Sequence, residues 1–421
     1  MRYEEYKKCD CGWLDKIPSG WSTIPIKRTV KNILTSFIDG DWIESNVITS
    51  DGIRYLTTGN VGALEYKEQG NGHISEETFK ELNCSEVFPG DMLISRLNEP
   101  IGRTCIVPNI GNRIVVAVDN VIYRPDENKY DKRYLMYQMN CLPYTENANY
   151  IARGSTMSRI SRTMLGSIKL CIPTLQEQQT IACYLDERCG KINGAIDVQK
   201  KKIDLLNELK QTIITNAVTK GLNPDAPMKD SGVEWIGEIP EHWKIKRTRF
   251  LCNIQTGDKD TVNREDDGLY PFYVRSPKVE RINTYSFDGE AVLMAGDGVG
   301  AGKVFHYANG KFDYHQRVYN LHNFKDVSGL FFYYYILNKF RYIIEEGAAK
   351  NTVDSVRLNM IQDFWMTIPP VSEQQNIVKY IDGEISKIDA QISKANRRIE
   401  LLNELKQSVI TEAVTGKIKV C

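Results

Sequence analysis

The heptapeptide LLNELKQ stands at residues 205–211 and recurs unchanged at residues 401–407. It belongs to a longer duplicated segment, because IPTLQEQQ at 172–179 is matched by IPPVSEQQ at 368–375, at the same offset of 196 residues. No insertion is needed to align 172–219 with its copy. A repeat of this length decides the architecture, and it predicts one structural plan that is used twice.

A shorter motif, W-x3-I-P-x2-W, precedes each variable region and begins at Trp13 and at Trp235. The variable regions differ in sequence, but PGDMLISR at 89–96 aligns with FDGEAVLM at 287–294. Alternating β-branched residues, glycine punctuation and a later aromatic stretch predict mixed strands and short helices in both regions. The order along the chain is therefore short motif, variable region and long repeat, twice.

The long repeat carries mostly apolar residues at heptad positions a and d. In the first copy these are Cys189, Ile196, Ile203, Lys210 and Ala217 for a, and Leu185, Ile192, Gln199, Leu206 and Ile213 for d. In the second copy they are Ile385, Ile392, Ile399, Lys406 and Ala413 for a, and Ile381, Ile388, Ala395, Leu402 and Val409 for d. Heptads of this kind predict a coiled coil. Because a compact domain tends to have its ends close together, the second helix should run antiparallel to the first. The alternative is two amphipathic helices that pack on separate cores.

Composition narrows the possible functions. The chain has 421 residues and a formal net charge of +0, whereas nucleic-acid-binding proteins usually have a basic excess, so only local charge can support DNA binding. The cysteines include no CxxC pair, although Cys9 and Cys11 are spaced CxC, and histidines number five. Zinc-finger spacing is therefore absent, and we expect no metal site. No apolar stretch has the length of a signal peptide or a membrane span, and we expect a cytoplasmic protein.

These motifs resemble the specificity subunits of type I restriction-modification systems. The two IPxxxEQQ, LLNELKQ and ITxAVT segments and the two W-x3-I-P-x2-W motifs carry the resemblance, which covers the whole chain. It implies that the variable regions recognise a split target in double-stranded DNA, with an adenine in each half methylated by a partner. It also implies two methyltransferase (modification) subunits and restriction/translocase subunits as partners. S-adenosylmethionine, ATP and Mg are then expected only in those partners, with no cofactor in this chain.

The fold class that we expect is α+β, with two mixed α/β target recognition domains joined by two long helices that form an antiparallel coiled coil, in a pseudo-two-fold symmetric arrangement. The expected domains are 1–170 for target recognition domain 1, 171–230 for the first repeated long-helix spacer, 231–366 for target recognition domain 2, and 367–421 for the second spacer. Two such domains at a fixed separation would read two half-sites at a fixed spacing.

DNA contacts are expected where basic and hydroxyl side chains gather in or beside the shared loops. The segment from 147 to 173 has no acidic residue and several basic ones, which suits phosphates and guanine edges. For any single residue, the alternative is a solvated surface charge. The candidates are Ser95, Arg96, Arg103, Arg153, Ser155, Thr156, Arg159, Arg247, Arg275, Lys303, Gln316, Arg317, Lys350 and Asn351.

The two LLNELKQ blocks are identical beyond their heptad positions, and coiled-coil packing alone does not require this identity. We expect two copies of one partner to bind there, although a solvated helix face is the alternative. The candidate partner-binding residues are Asn207, Glu208, Gln211, Asn403, Glu404 and Gln407.

The glycine-rich stretch AGDGVGAGK at 295–303 lacks nucleotide-binding spacing. Asp297 stands where a P-loop needs its first Gly, and Val304 stands where it needs Ser or Thr. The chain also lacks an Asn-Pro-Pro-aromatic tetrad, so we expect no catalytic residue and no enzyme. Two other hypotheses stay open: a methyltransferase or nuclease with its own target domains, and a coiled-coil scaffold that never contacts DNA.

Overall fold

The structure, a computed structural model, describes residues 2–97, 99–153, 158–348 and 355–420. For residues 345–348 it describes the backbone alone. The chain divides into two compact units. Unit 1 contains Met1–Val198 and Arg397–Cys421, and unit 2 contains Gln199–Asn396. Each unit therefore combines one globular region with part of both long helices.

Unit 1 has mixed secondary structure, as predicted. Its strands are β1 (Tyr6–Lys8), β2 (Lys16–Pro18), β3 (Ser22–Pro25), β4 (Phe37–Asp39), β5 (Ile53–Leu56), β6 (His73–Ile74), β7 (Met92–Ser95), β8 (Thr104–Ile106), β9 (Ile114–Val116), β10 (Asn120–Tyr123) and β11 (Lys169–Ile172). Its helices are α1 (Ile33–Ser36), α2 (Glu76–Glu81), α3 (Lys132–Gln138), α4 (Leu142–Ile151), α5 (Arg162–Ser167), the first part of α6 (Leu175–Lys220) and the last part of a further long helix, α10 (Val371–Val414). The larger sheets have the orders β4-β10-β7-β8 and β6-β5-β9, and β1 pairs with β2 and β3 with β11. Every residue of β7 and β10 is buried, so the first sheet is covered on both faces.

Unit 2 repeats this plan with a larger sheet. Its strands are β12 (Met228–Asp230), β13 (Glu238–Pro240), β14 (Lys244–Arg247), β15 (Asn253–Thr256), β16 (Tyr270–Tyr273), β17 (Glu280–Ile282), β18 (Phe287–Ala295), β19 (Phe305–Tyr314), β20 (Val318–His322) and β21 (Trp365–Ile368). Its helices, besides the rest of α6, are α7 (Gly329–Lys339), α8 (Arg341–Ala348), α9 (Leu358–Gln362) and the first part of α10 (Val371–Val414). The main sheet has the order β15-β20-β18-β19-β16-β17. None of the helices in the described part of the chain has both the length and the apolar character needed to cross a bilayer.

The short motif and the long repeat meet in each unit. In unit 1 the Trp21 indole Nε1 donates to Glu177 Oε1 at 3.2 Å, and in unit 2 the Trp243 Nε1 donates to Glu373 Oε1 at 3.1 Å. Both tryptophans are buried, and the hydrogen bond satisfies the indole N–H that burial removes from water. The two motifs recur together because in both units they form the same contact between the short motif and the start of the long helix.

A buried glutamine fixes the start of each long helix. Gln178 Oε1 accepts a hydrogen bond from the Asp131 N–H at 2.9 Å, and Gln374 Oε1 accepts one from the Ser328 N–H at 2.8 Å. Each amide nitrogen also donates to the carbonyl of the proline five residues earlier. A buried amide without partners costs free energy, so packing requires this glutamine in both copies.

The two long helices pack on each other within each unit. In unit 1 Lys406 Nζ of α10 donates to Asn193 Oδ1 of α6 at 2.9 Å, and in unit 2 Lys210 Nζ of α6 donates to Asp389 Oδ1 of α10 at 2.9 Å. The early part of each helix thus contacts the late part of the other, so the helices are antiparallel. Predicted a and d positions are buried or half-buried, whereas most positions between them are exposed. The predicted antiparallel coiled coil is confirmed, and the alternative of separately packed helices is wrong.

Candidate nucleic-acid interface

In unit 1 three loops meet at one end of the β7–β10 strand pair. The Arg96 N–H donates to the Asp119 carbonyl at 2.8 Å, and the Ile160 N–H donates to the Arg96 carbonyl at 3.0 Å. These bonds hold together the turn between β7 and β8, the turn before β10 and the segment before α5. We call this loop cluster 1, which comprises the described residues of 96–103, 117–119 and 153–160.

Unit 2 builds the same arrangement from other residues. The Gly296 N–H donates to the Arg317 carbonyl at 2.8 Å, and the Val356 N–H donates to the Gly296 carbonyl at 2.7 Å. We call this loop cluster 2, which comprises residues 296–303, 315–317 and 355–356. The backbone scheme is therefore common to both clusters, while the side chains differ.

The sequence alignment of the two variable regions, which sets Arg96 opposite Met294, is wrong by two residues. In the structure Ile94 pairs with the first residue of β8, and Met294 pairs with the first residue of β19. Gly296 therefore takes the place of Arg96. The two regions share too few identities to reveal this register, which depends on pairing between strands that are separated along the chain.

Two DNA-binding candidates of unit 1 are buried, which corrects the prediction that they face DNA. The Ser95 side chain is fully buried and donates to the Leu97 carbonyl at 3.0 Å. Arg96 is 5% exposed and lies 3.2 Å from Asp39 Oδ1. Burial lowers the pKa of Arg96, and the Asp39 carboxylate opposes that change. Ser95 ends β7 and Arg96 is the first residue of loop cluster 1, so both buried side chains stabilise the loops from the interior of unit 1.

Arg103 is half-buried and ties the loops of unit 1 together. Its Nε donates to the Val61 carbonyl at 2.7 Å, and Nη2 donates to the Thr58 carbonyl at 2.9 Å. Its Nη1 donates to the carbonyls of Leu97 and Pro100, each at 3.2 Å. A planar guanidinium suits this multiple recognition, so Arg103 shapes loop cluster 1.

Arg153 and Arg159 remain surface candidates in loop cluster 1. Their backbones pair with each other, and both side chains are exposed. Arg159 also lies 2.7 Å from Asp119 Oδ1, which orients its guanidinium at the surface. Ser155 and Thr156 lie outside the described residues.

Basic and polar side chains gather around two aspartates, one in loop cluster 2 and one beside it. Arg275 lies 3.0 Å and Arg317 3.7 Å from Asp297. Gln316 Nε2 donates to Asp260 Oδ2 at 2.9 Å. Arg317 is the more exposed of the two arginines, with 66% of its side chain accessible. These contacts bring three of the predicted residues to one surface.

The remaining candidates of unit 2 have different positions. Lys303 is exposed within loop cluster 2. Arg247 lies in β14, where it bonds to Asp363 at 3.0 Å and packs over the Trp365 ring at 4.8 Å, and the structure does not place it among the cluster residues. Lys350 and Asn351 lie outside the described residues.

Three exposed apolar side chains beside the clusters were missed by sequence reasoning. Trp42 is 70% exposed and follows Asp41, whose carbonyl accepts the Val118 N–H of loop cluster 1. Tyr150, 90% exposed, follows an asparagine that binds the Ile101 N–H. Val299, in loop cluster 2, is 97% exposed. No signal in the sequence separates these residues from core residues, because their exposure depends on the tertiary fold.

The LLNELKQ blocks expose apolar side chains that coiled-coil packing leaves uncovered. Leu205 and Leu209, one turn apart on α6, are 64% and 47% exposed. Leu401 and Leu405, at the equivalent positions of α10, are 48% and 47% exposed. We call these two pairs the leucine patches. Exposed leucines repeated at equivalent positions are typical of a protein-binding surface.

The candidate partner-binding residues are interspersed with the leucine patches. The exposed ones are Asn207, Glu208, Gln211, Asn403 and Glu404. Gln407 differs, because it is half-buried and its Oε1 accepts no hydrogen bond from the described residues.

Comparison with known proteins gives a clear result. Residues 27–211 and 240–403 each match the family described as the type I restriction modification DNA specificity domain. The chain belongs to this family. Two matches in one chain mean that this specificity subunit carries two DNA-recognition domains, as its duplicated sequence predicts. The predicted α+β fold with two mixed domains and two long helices is confirmed.

Relatives of the specificity subunit match along its full length. A protein of Methanocaldococcus jannaschii named as a type I restriction enzyme specificity subunit is 25% identical over 99% of this chain and 97% of its own. A second one from the same organism is 22% identical over 100% and 98%. A solved chain from a study of complex assembly and conformational transition in a type I R-M system is 16% identical, with a TM-score of 0.69, covering 96% of this chain and 100% of that chain. The last likeness concerns the fold alone.

Proposed function

We propose that this subunit is a non-catalytic reader of a bipartite DNA target, and that it directs partner subunits to methylate adenine or cleave DNA. The observation that carries the proposal is the pair of loop clusters, which share one backbone scheme and present different side chains. Base identity is read by side chains at base edges, while phosphate contacts only position a protein. Two loop clusters with the same backbone arrangement and different side chains are therefore suited to two half-sites of different sequence.

The differences between the clusters concern the residues nearest to the shared hydrogen bonds. Asp119 of loop cluster 1 is replaced by Arg317 in loop cluster 2, and Arg159 is replaced by Ser355. Each exchange changes both charge and hydrogen-bonding pattern. Arginine suits guanine edges, whereas a hydroxyl is less selective, so the two half-sites should have unrelated sequences.

The antiparallel helices supply the fixed spacing in this proposal. Both helices are continuous, with 46 residues in α6 and 44 in α10. A helix rises about 1.5 Å per residue, and paired helices resist bending better than one alone. A constant spacer between the half-sites is the expected consequence.

The leucine patches are the proposed docking sites for two copies of one partner, the modification subunit. A duplicated surface with the same sequence binds the same protein twice. Restriction/translocase subunits join this assembly, and S-adenosylmethionine, ATP and Mg are bound by the partners. This chain then contributes recognition and geometry, while the partners contribute chemistry.

The experiment compares the purified chain with the chain assembled with its modification subunits. Each sample is incubated with labelled S-adenosylmethionine and DNA, and the DNA of the assembled sample is also footprinted. We expect label transfer only in the assembled sample, with protection of two separated blocks. Label transfer by the chain alone would make it an enzyme, and the absence of a footprint would make it a scaffold.

A further inference from the structure

Three cysteine thiols meet in the core of unit 1, although one of them is distant in sequence. Cys9 Sγ lies 3.0 Å from Cys11 Sγ and 4.0 Å from Cys171 Sγ. All three sulfur atoms lie within 4.8 Å of one another, and all three residues are buried. Cys171 is in β11, the strand that leads into α6. The group therefore joins the N-terminal segment to the start of the long helix.

Unit 2 has the same strand arrangement at the equivalent place, but without thiols. Strands β12 and β13 pair as β1 and β2 do, and the equivalent positions hold Ser231, Val233 and Thr367. There the hydroxyls bind backbone carbonyls, because Ser231 donates to the Val233 carbonyl at 3.2 Å and Thr367 donates to that of Val218 at 2.8 Å. The strand arrangement thus needs no cysteine, and the convergence of thiols in unit 1 requires a separate explanation.

We propose that Cys9, Cys11 and Cys171 form a thiolate site for Zn²⁺. Zinc binds cysteine sulfur at about 2.3 Å, which separates tetrahedral sulfur ligands by about 3.8 Å. The distances from Cys9 Sγ to the other two sulfur atoms, 3.0 Å and 4.0 Å, lie on either side of that value, so small side-chain rotations suffice. Each thiol releases its proton to solvent when its thiolate binds the ion. An oxygen from solvent completes the four-coordinate site.

A backbone hydrogen bond at this place favours negative sulfur. The Cys11 N–H donates to Cys9 Sγ at 3.4 Å. Donors of this kind orient thiolate ligands and stabilise their charge. Trp13 and Leu14, which follow Cys11 in the sequence, line a cavity of about 610 Å³ in unit 1.

The site has a structural role in this proposal. Zinc would fix the segment before β2 against β11. It would thereby stabilise the contact of Trp21 with Glu177 at the start of α6. Binding energy at a structural zinc site contributes directly to folding. The CxC spacing alone does not reveal such a site, because the third ligand follows 160 residues after Cys11.

The test measures zinc in the full-length chain purified under reducing conditions, by mass spectrometry of the metal and by Co²⁺ titration followed optically. We expect about one Zn²⁺ per chain and a thiolate-to-cobalt charge-transfer band. The matched variant C9S/C11V/C171T carries the unit 2 residues in the same strand arrangement, and it should keep its fold by circular dichroism and lose both signals. The control Cys84→Ser removes another buried thiol and should keep them.

Three results would overturn the proposal. The first is a reduced wild-type chain that takes up neither Zn²⁺ nor Co²⁺. The second is a disulfide among the three cysteines in the protein as purified, found by peptide mass spectrometry. The third is full zinc content in the C9S/C11V/C171T variant. Loss of zinc in the variant with DNA binding unchanged would leave the proposed function standing, so the two proposals are tested separately.

Discussion

At the scale of the residue, the main lesson concerns arginine. Arginines near glycine-rich turns are predicted from the sequence to contact DNA, yet Arg96 is buried and Arg103 donates to backbone carbonyls of two loops. A guanidinium offers donors that can organise irregular backbone as readily as they bind phosphate. Sequence alone cannot separate these roles, because burial depends on strands that are far apart along the chain. Arg159 and Arg317 remain candidates because they are exposed.

Arg54 gives a stability prediction on the same principle. It is buried, and its guanidinium donates to the carbonyls of Gly72, Gln69 and Gly70. In Arg54→Lys the single ammonium leaves some of these buried carbonyls without partners. We expect the free energy of unfolding of unit 1 to fall by about 3 kcal/mol, which calorimetry would show as a lower unfolding temperature. Arg188→Lys, on the exposed surface of α6, should leave that transition unchanged; an equal shift would contradict the account.

Arg317 gives a recognition prediction. Its side chain is 66% exposed in loop cluster 2, so Arg317→Ala should weaken binding of the assembled complex to its cognate DNA by about tenfold or more. Fluorescence anisotropy with a labelled duplex measures the change. Arg397→Ala is the control, since that arginine is outside loop cluster 2 and pairs with Glu400 on α10. The role of Arg317 would be excluded if both variants bound as the wild type does.

At the scale of the element, the helices were predictable and the strand register was not. Heptad spacing is a local pattern, and it predicts α6, α10 and the a positions of Lys210 and Lys406, which in the structure contact the opposite helix. Strand register depends on nonlocal pairing, which explains the two-residue error between the variable regions. In the sequence Gln178 and Gln374 are only identical residues of the repeat. Their role in fixing the helix starts depends on contacts with Asp131 and Ser328, which are distant along the chain.

The leucine patches give a prediction about helix surfaces. Charged residues in one patch, as in the variant L205D/L209D, should remove one of two bound modification subunits, because the apolar contact is lost on one side only. Native mass spectrometry counts the copies. The variant should keep its helical circular dichroism, since both side chains are largely exposed. The matched variant V198D changes an exposed apolar residue of α6 outside the patch and should keep both copies. Two bound copies in L205D/L209D would rule out this docking surface.

At the scale of the whole molecule, the duplicated sequence predicted two recognition domains, and the family match confirms them. The half-site sequences could not be predicted, because base choice depends on the placement of a few side chains on loops. The three-thiol group was also beyond prediction, since its members become neighbours only after folding. The feature that the sequence predicts best is the repeated combination of a short tryptophan motif, a variable region and a long helix.

Independence of the two domains gives a prediction at this scale. A chimera that replaces residues 244–364 with the corresponding region of a relative keeps both long helices and all of unit 1. We expect one half of the methylated motif to change, while the other half and the spacer length stay the same. Sequencing of methylated bases in cells that express the chimera with the modification subunits reads both. A change in both halves would mean that the domains do not read DNA separately.

Sequencing of methylated adenines in cells that express the wild-type chain with its modification subunits shows both half-sites and the spacing between them. We expect a motif of two short, unrelated blocks separated by a constant number of unspecified bases. A single contiguous motif, or blocks whose separation varies, would contradict this expectation.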